Sequence, residues 1–285
     1  MLVLPVPRDL PVERGYVTDV AWSGGLQAIT FDFGNTLVAV DRAALRRVVE
    51  ATAAAVVVRL GPFDRERFLE VWGEERERQF REEVPQFREV DLADRFVRVV
   101  ARLRGMAPPS EADRWDQPAA ARMSDPAEID WAVDVYSEAF VDALPAPPAV
   151  GPLLGRLAHA YRLGILSNWP LAATIDRYIG AAGWAPHLSA VVISQRVGTI
   201  KPHPAIFSAA AAALGDPPGG TILHVGDDWA ADVVGAARAG WRTAYLDARP
   251  ADSPLPSSRR DASVVPDLEL TYLGELETLI RPRHR

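Results

Sequence analysis

Along this 285-residue chain, polar side chains of complementary chemistry follow a series of short apolar runs. The run Ala28-Ile-Thr-Phe-Asp32-Phe33 carries Asp32 near its end and leads into Gly34, Asn35 and Thr36. A second run ends on Ser167 and Asn168, and Lys201 precedes an apolar, helix-like stretch. A third run, Ile222 to Val225, opens into Gly226-Asp227-Asp228, with Asp232 one helical turn further on. Brought together, carboxylates, hydroxyls, an amide and one ammonium could hold a divalent cation and a phosphoryl group. Magnesium favours carboxylates, water and phosphate oxygens, and a lysine supplies a point charge to a phosphate. Lys201 is the one lysine among 31 basic residues, the others being arginine. A position that departs from such a bias points to a need for a compact ammonium.

These residues need a scaffold that brings them together. From about Val150 the pattern alternates: helix near 150–160, strand Leu163 to Leu166, helix near 171–182, strand Ala190 to Ile193, helix near 204–214, strand Ile222 to Val225, helix near 229–239, strand Thr243 to Leu246. Alternation of this kind predicts an α/β fold with a parallel sheet covered on both faces, and the run at 28–33 should join the same sheet. Pro250 to Arg260 reads as a loop, Leu268 to Leu270 as a short strand and Leu273 to Ile280 as a helix. Ligands bind beyond the carboxyl ends of such strands, which is where the polar residues fall.

Between about 41 and 147 the character changes. Leu92, Phe96, Val99, Val100 and Leu103 recur at helical spacing, as do Ile129, Val133, Tyr136 and Phe140, and Asp125-Pro126 reads as an N-cap with a first-turn proline. The rest of the zone is rich in Arg and Glu, and the run Glu74 to Arg81 reads as a solvated helix face. The expected division is therefore an N-terminal extension over 1–25, an α/β core over 26–40 and 148–285, and a helical insertion over 41–147.

Composition limits the partners. The net charge of −7 argues against nucleic acid, and an absence of cysteine removes disulfides, thiolate metal sites and cysteine nucleophiles. The longest strictly apolar run, Ala53 to Val58, is far short of the roughly 20 residues that cross a bilayer, and Met1 to Arg8 has no signal-peptide pattern. No membrane association and a cytoplasmic location are expected.

Phe31-Asp32-Phe-Gly-Asn-Thr36-Leu37, Ile165-Leu-Ser167-Asn168, Lys201-Pro202 and Val225-Gly-Asp227-Asp228-Trp-Ala-Ala-Asp232, in this order, resemble the four motifs of the haloacid dehalogenase superfamily. The resemblance covers about 26–40 and 148–280. It implies a doubly wound, Rossmann-like core, with the insertion as a small mobile cap. It further implies that Asp32 attacks phosphorus to form an aspartyl-phosphate, which water then hydrolyses. Asp32 and Asp227 would ligate Mg2+, with Asp228 as a further or outer ligand and the Gly34 carbonyl as a backbone ligand. Thr36, Ser167 and Asn168 would hold phosphoryl oxygens, and Lys201, oriented by Asp232, would neutralise charge. His224, Trp169 and Trp229 read as packing residues.

One position departs from the pattern. Phosphatases of the superfamily carry a second Asp two residues after the nucleophile as general acid and base, a role worth about 10²–10⁴ in rate, and here that position is Gly34. Three readings follow. The first is a magnesium-dependent phosphatase of a small phosphorylated metabolite. The others are a catalytically weak binding or scaffold protein on the same fold, and a 2-haloacid dehalogenase-type hydrolase, whose leaving halide needs no proton. A phosphonate-cleaving relative would need a lysine in the insertion, which has none.

Overall fold

The computed structural model describes residues 25–262 and 264–280, so the arm expected ahead of the first strand lies outside the described residues apart from Gly25. In chain order the elements are β1 (Ala28–Phe31), α1 (Arg42–Arg59), α2 (Arg65–Glu83), α3 (Leu92–Leu103), α4 (Gln117–Ala121), α5 (Pro126–Ala143) and α6 (Val150–Ala158). There follow β2 (Arg162–Ser167), α7 (Ala172–Ala181), β3 (Ala190–Ile193), α8 (Ser194–Val197), α9 (Pro204–Ala213) and β4 (Ile222–Gly226). A π-helical turn (Trp229–Val234) leads into α10 (Gly235–Arg238), β5 (Arg242–Leu246), β6 (Leu268–Leu270) and α11 (Glu275–Leu279).

The chain forms two compact units. One takes in the described residues up to Asp41, Ala146–Trp169 and the described residues from Ala182 on; the other is Arg42–Pro145 with Pro170–Ala181. In the first unit six parallel strands are ordered β3-β2-β1-β4-β5-β6. Phe31 pairs with Ile165 on one side and Val225 on the other, so three polar strand ends lie side by side. The strand order reverses between β1 and β4, the switch point at which a crevice opens in sheets of this kind. All of β1 is buried, as an apolar β-branched run between two neighbours must be, and Leu166, Ile206, Phe207, Ala210 and Trp241 pack in one core cluster.

β1 ends two residues before the apolar run does. Asp32 and Phe33 leave the sheet because a tight turn follows, in which Leu37 and Val38 both donate to the Phe33 carbonyl.

The second unit is helical. Asp91 caps α3 through the Ala93 and Asp94 amides, and Asp125 with Glu128 forms a capping box on α5 ahead of Pro126. Its core holds Phe68, Trp72, Phe96 and Tyr136 in a ring cluster, with the Trp72 and Phe96 centroids 4.9 Å apart. Helix α7 groups with this unit through a Ser137–Thr174 hydroxyl bond, the Phe140–Tyr178 ring pair and Arg177 salt bridges to Asp134 and Glu138. The run Glu74 to Arg81 is not a solvated face throughout. Glu75, Arg78 and Gln79 are buried, because Arg102 and the Trp115 indole satisfy Glu75 while Glu82 and three backbone carbonyls satisfy Arg78.

No helix among the described residues is long and apolar enough to cross a membrane.

Candidate active site

The turn after β1 is shaped by two residues. Asn35 takes φ 60°, a left-handed conformation that asparagine tolerates, and its side chain accepts from the Val40 amide and donates to Asp227 Oδ2 and Ser253 Oγ. Gly34 leaves room above the turn. A Cβ there would meet Leu255 Cδ1 at 2.6 Å and Trp169 Cζ3 at 3.2 Å, so the space of a side chain at this position is filled with apolar groups. Trp169 stands edge-on to Phe33 with centroids 5.5 Å apart, and Trp229 packs likewise on Tyr245, as packing residues do.

Lys201 is buried, and its ammonium has three acceptors: Asp32 Oδ1 at 2.9 Å, Asp232 Oδ1 at 2.6 Å and the Leu166 carbonyl at 2.8 Å. Each of its N–H bonds is therefore placed. Asn168 clamps the backbone of this lysine, accepting from the Lys201 amide at 2.7 Å and donating to its carbonyl at 3.1 Å.

Asp232 accepts from Lys201 and from His224 Nε2 through Oδ1, and from the Asp228 amide through Oδ2. Since Asp232 only accepts, His224 donates from Nε2, and its Nδ1 lies 2.9 Å from the Thr30 hydroxyl. His224 is thus a satisfied core histidine that also steadies Asp232. Gly226 permits this geometry, for a Cβ there would lie 2.2 Å from Asp232 Cγ.

Asp227 and Asp228 differ in their surroundings. Asp227 Oδ2 accepts from Arg249 at 3.0 Å and Asn35 at 3.3 Å. Asp228 caps the π-helical turn through the Ala231 amide and accepts both the amide and the hydroxyl of Ser258. Residues 249–260 thus cross the strand ends as a strap. Arg249 also donates to the Leu255 and Pro256 carbonyls, Ser253 bonds Asn35, and Ser258 holds Asp228.

Burial sets the electrostatics. It raises the Asp32 carboxyl, with Lys201 opposing and Asp232 adding to the rise. It raises Asp227 well above the ordinary range, reinforced by Asp32 and Asp232 and opposed by Arg249. Asp228 is raised as well, by burial and Asp232. Burial alone would also raise Asp232, but the Lys201 charge and the His224 hydrogen bond bring it below the ordinary value. The same carboxylates lift Lys201 against its own burial. Burial and the Lys201 charge lower His224, which favours the neutral ring.

Four carboxylates thus share two cationic side chains, Lys201 and Arg249, so their ionised forms together outnumber these cations by two, and burial resists that excess by raising Asp32, Asp227 and Asp228. One oxygen each from Asp32, Asp227 and Asp232 lies within 4.8 Å of the others, and with Asp232 saturated by N–H donors, Asp32 and Asp227 are the two that could hold a cation. A doubly charged, oxygen-seeking ion fits this donor set.

Among the described residues Thr36 Oγ1 is buried without a partner, and Ser167 Oγ makes no hydrogen bond of normal geometry, although it lies close enough to Asp32 to favour the ionised carboxyl. Buried hydroxyls left open in this way mark places for a ligand or water.

Asp32, Lys201, Asp227 and Asp232 therefore converge. Asn168 serves the Lys201 backbone, and Asp228 serves the strap. Reading the sequence misses Arg249, Ser253, Leu255 and Ser258, whose loop carries no periodic pattern. Its many prolines and serines are the signal that it runs over polar partners.

Residues 26–240 match the family of haloacid dehalogenase-like hydrolases. The chain is 30% identical over 149 residues to the pyrimidine 5'-nucleotidase YjjG of Escherichia coli (strain K12), covering 50% of this chain and 62% of that protein. It is 38% identical over 125 residues to a phosphoserine phosphatase of Thermus thermophilus, covering 42% and 48%. The matched segments thus span less than two thirds of these relatives. Among solved structures, a 2-haloacid dehalogenase from Pseudomonas syringae pv. Tomato DC3000 superposes with a TM-score of 0.61 at 21% identity, over 90% of this chain and 98% of that one. A phosphatase from Thermococcus onnurineus gives 0.56 at 19%, over 90% and 99%; at such identities the likeness is one of fold. Sheet order, strand-end residues and family match agree, and the chain belongs to the haloacid dehalogenase-like hydrolases.

Proposed function

We propose that this protein is a magnesium-dependent phosphatase of a small phosphorylated molecule, with Asp32 as its nucleophile. The observation that carries the reading is the charge balance at the strand ends: four clustered carboxylates, Asp32 and Asp227 among them, share only Lys201 and Arg249 as counter-charges, and the ammonium is already fully bonded. The relatives named for a nucleotidase and a phosphoserine phosphatase support a small phosphorylated substrate.

A magnesium ion held by Asp32, Asp227 and the Gly34 carbonyl would supply positive charge to the phosphoryl oxygens. Lys201, fixed by Asp232 and the Leu166 carbonyl, neutralises Asp32, so that two anions can approach. Thr36 and Ser167 offer unspent hydroxyls to phosphoryl oxygens, and Asn168 keeps one amide hydrogen beyond its bond to Lys201. An Asp32 oxygen bonds to phosphorus as the ester oxygen leaves with the electron pair of its P–O bond. Water then adds to phosphorus, and the Asp32 carboxylate departs. Because position 34 carries no acid, the leaving oxygen takes no proton from it, and rates should rank acyl phosphate above aryl above alkyl phosphate.

Carbon–halogen hydrolysis is the second reading, favoured by the apolar filling of the space above Gly34. Against it stands the same excess of negative charge, which repels the carboxylate of a 2-haloacid.

A panel of acyl, aryl and alkyl phosphates and 2-haloacids, assayed with magnesium and with EDTA, tests the proposal. Metal-dependent phosphate release is expected. EDTA-insensitive halide release would establish the second reading, and no turnover of any substrate would point to a binding protein.

A further inference from the structure

Arg95, on α3 within the helical unit, is 4% exposed. Its Nε donates to Gln79 Oε1 at 2.8 Å, and Gln79 is held in turn by donating to the Asp91 carbonyl at 2.8 Å. The guanidinium carbon lies 5.2 Å from the centroid of the Trp72 ring. Its two terminal nitrogens make no hydrogen bond and no ion pair with any described residue.

Three neighbouring arginines of this unit each have a glutamate as ion-pair partner, although Arg98 and Arg102 each keep one buried nitrogen without a hydrogen bond. Arg78 reaches Glu82 and three carbonyls, Arg98 reaches Gln117 and Glu82, and Arg102 reaches Glu74 and Glu75. Around Arg95 the nearby charges are Glu89, acting at longer range, and two like charges, Arg76 and Arg98. The balance there is positive, in a chain that is acidic overall.

Tyr136 completes the arrangement. Its ring joins the same cluster, 6.2 Å from Trp72 and 6.4 Å from Phe96, and its hydroxyl has no partner among the described residues. The terminal nitrogens of Arg95 and the Tyr136 hydroxyl keep slight solvent contact, so a fork of N–H donors and a phenol stand open there to an acceptor that enters from outside. A guanidinium fixed through Nε presents its terminal nitrogens in the spacing that carboxylate and phosphate oxygens accept in parallel.

We infer that Arg95 and Tyr136 form an oxyanion-binding site inside the helical unit, which takes a carboxylate or phosphoryl group of a small molecule. Gln79 orients the guanidinium, and Trp72 and Phe96 supply apolar walls suited to a planar or hydrocarbon body attached to the anion. The site stands on this geometry alone and does not require the strand-end chemistry to be that of a phosphatase.

Calorimetric titration of the full chain with benzoate and with inorganic phosphate tests it in wild type, Arg95→Met, Arg95→Lys and Tyr136→Phe. At least one probe should bind wild type, and Arg95→Met should weaken it by about tenfold or more. Arg95→Lys should also weaken it, because the charge remains and the fork is lost. Tyr136→Phe should cost about threefold. A stronger response to benzoate assigns the site to carboxylates, and to phosphate, to phosphoryl groups. Phosphate held at the strand ends would survive in Arg95→Met and is separated in that way.

Without ligand, Arg95→Met should melt no lower than wild type, since it removes a buried charge that lacks a carboxylate partner. Undiminished binding in folded Arg95→Met, no binding of either probe to wild type, or a folded Arg95→Met that melts well below wild type would each overturn the inference. Should Arg95→Met fail to fold, Tyr136→Phe decides: weakened binding supports the site, and equal binding overturns it.

Discussion

Lys201 and Arg95 are both cations sunk in the protein, and burial alone would lower both. Two carboxylates and a carbonyl absorb every N–H of Lys201, and the two carboxylates raise it above the ordinary lysine value. Arg95 has an amide oxygen and a ring face but no carboxylate at hydrogen-bond distance, and it is pulled down to about 10. The difference separates two uses of a buried charge. On the function proposed, Lys201 is saturated because it holds the proposed nucleophile, Asp32, in place. Arg95 is open at the end that binds anions, as a group is when its partner comes from outside. The hydroxyls of Thr36 and Ser167 repeat the open pattern beside the saturated lysine.

The sharpest way to break this comparison is to remove each cation and measure stability. Lys201→Met leaves Asp32 and Asp232 buried without their shared counter-charge and should cost about 3–5 kcal/mol in a denaturant melt. Arg95→Met should cost nothing. Equal losses in the two variants would erase the distinction.

A smaller effect is expected at Gly34. Asp introduced there drives its Cβ into Leu255 and Trp169, and overpacking of this kind costs about 1–3 kcal/mol. The sequence suggests that Gly34→Asp would restore an acid and help alkyl esters most. The strap shows that it must first displace Leu255, so Gly34→Asp with Leu255→Ala should recover stability and give the larger gain on alkyl phosphates. A single substitution as stable as wild type would mean that Leu255 yields freely.

The smallest effect is one of pH. In the metal-free protein Asp227 has a folded value raised above its unfolded one. The folded state therefore binds its proton more tightly, and stability falls as pH rises from about 4 through that raised value. Asp227→Asn should match wild type near pH 4 and melt higher at pH 7, where wild type carries the uncompensated charge. The gap should close when magnesium is added to wild type. A variant less stable than wild type at pH 7 without metal would show that Arg249 compensates Asp227 fully.

The strand-end machinery is legible in the sequence because its residues sit at fixed short distances from apolar runs, and because Lys201 stands alone among arginines. β3 and β6 run over the residues expected, since short apolar runs bounded by turn residues leave little freedom. The strap is illegible for the opposite reason: Ser253 meets Asn35 across 218 positions, and no local pattern encodes a contact between loops. Glu75 and Arg78 look like solvated charges in a charged run, and only their partners on α3 and in residues 109–115 reveal that they are buried. Arg95 is hidden in the same way, as one arginine among many on an amphipathic helix.

The central claim is that Asp32 accepts the phosphoryl group. Acid quenching of the protein during turnover of acetyl phosphate with magnesium, followed by peptide mapping, tests it directly. A phosphoryl adduct on Asp32, with neither adduct nor measurable turnover in folded Asp32→Asn, is the result predicted. Phosphate release without an adduct at Asp32, or turnover retained by pure Asp32→Asn, would contradict it.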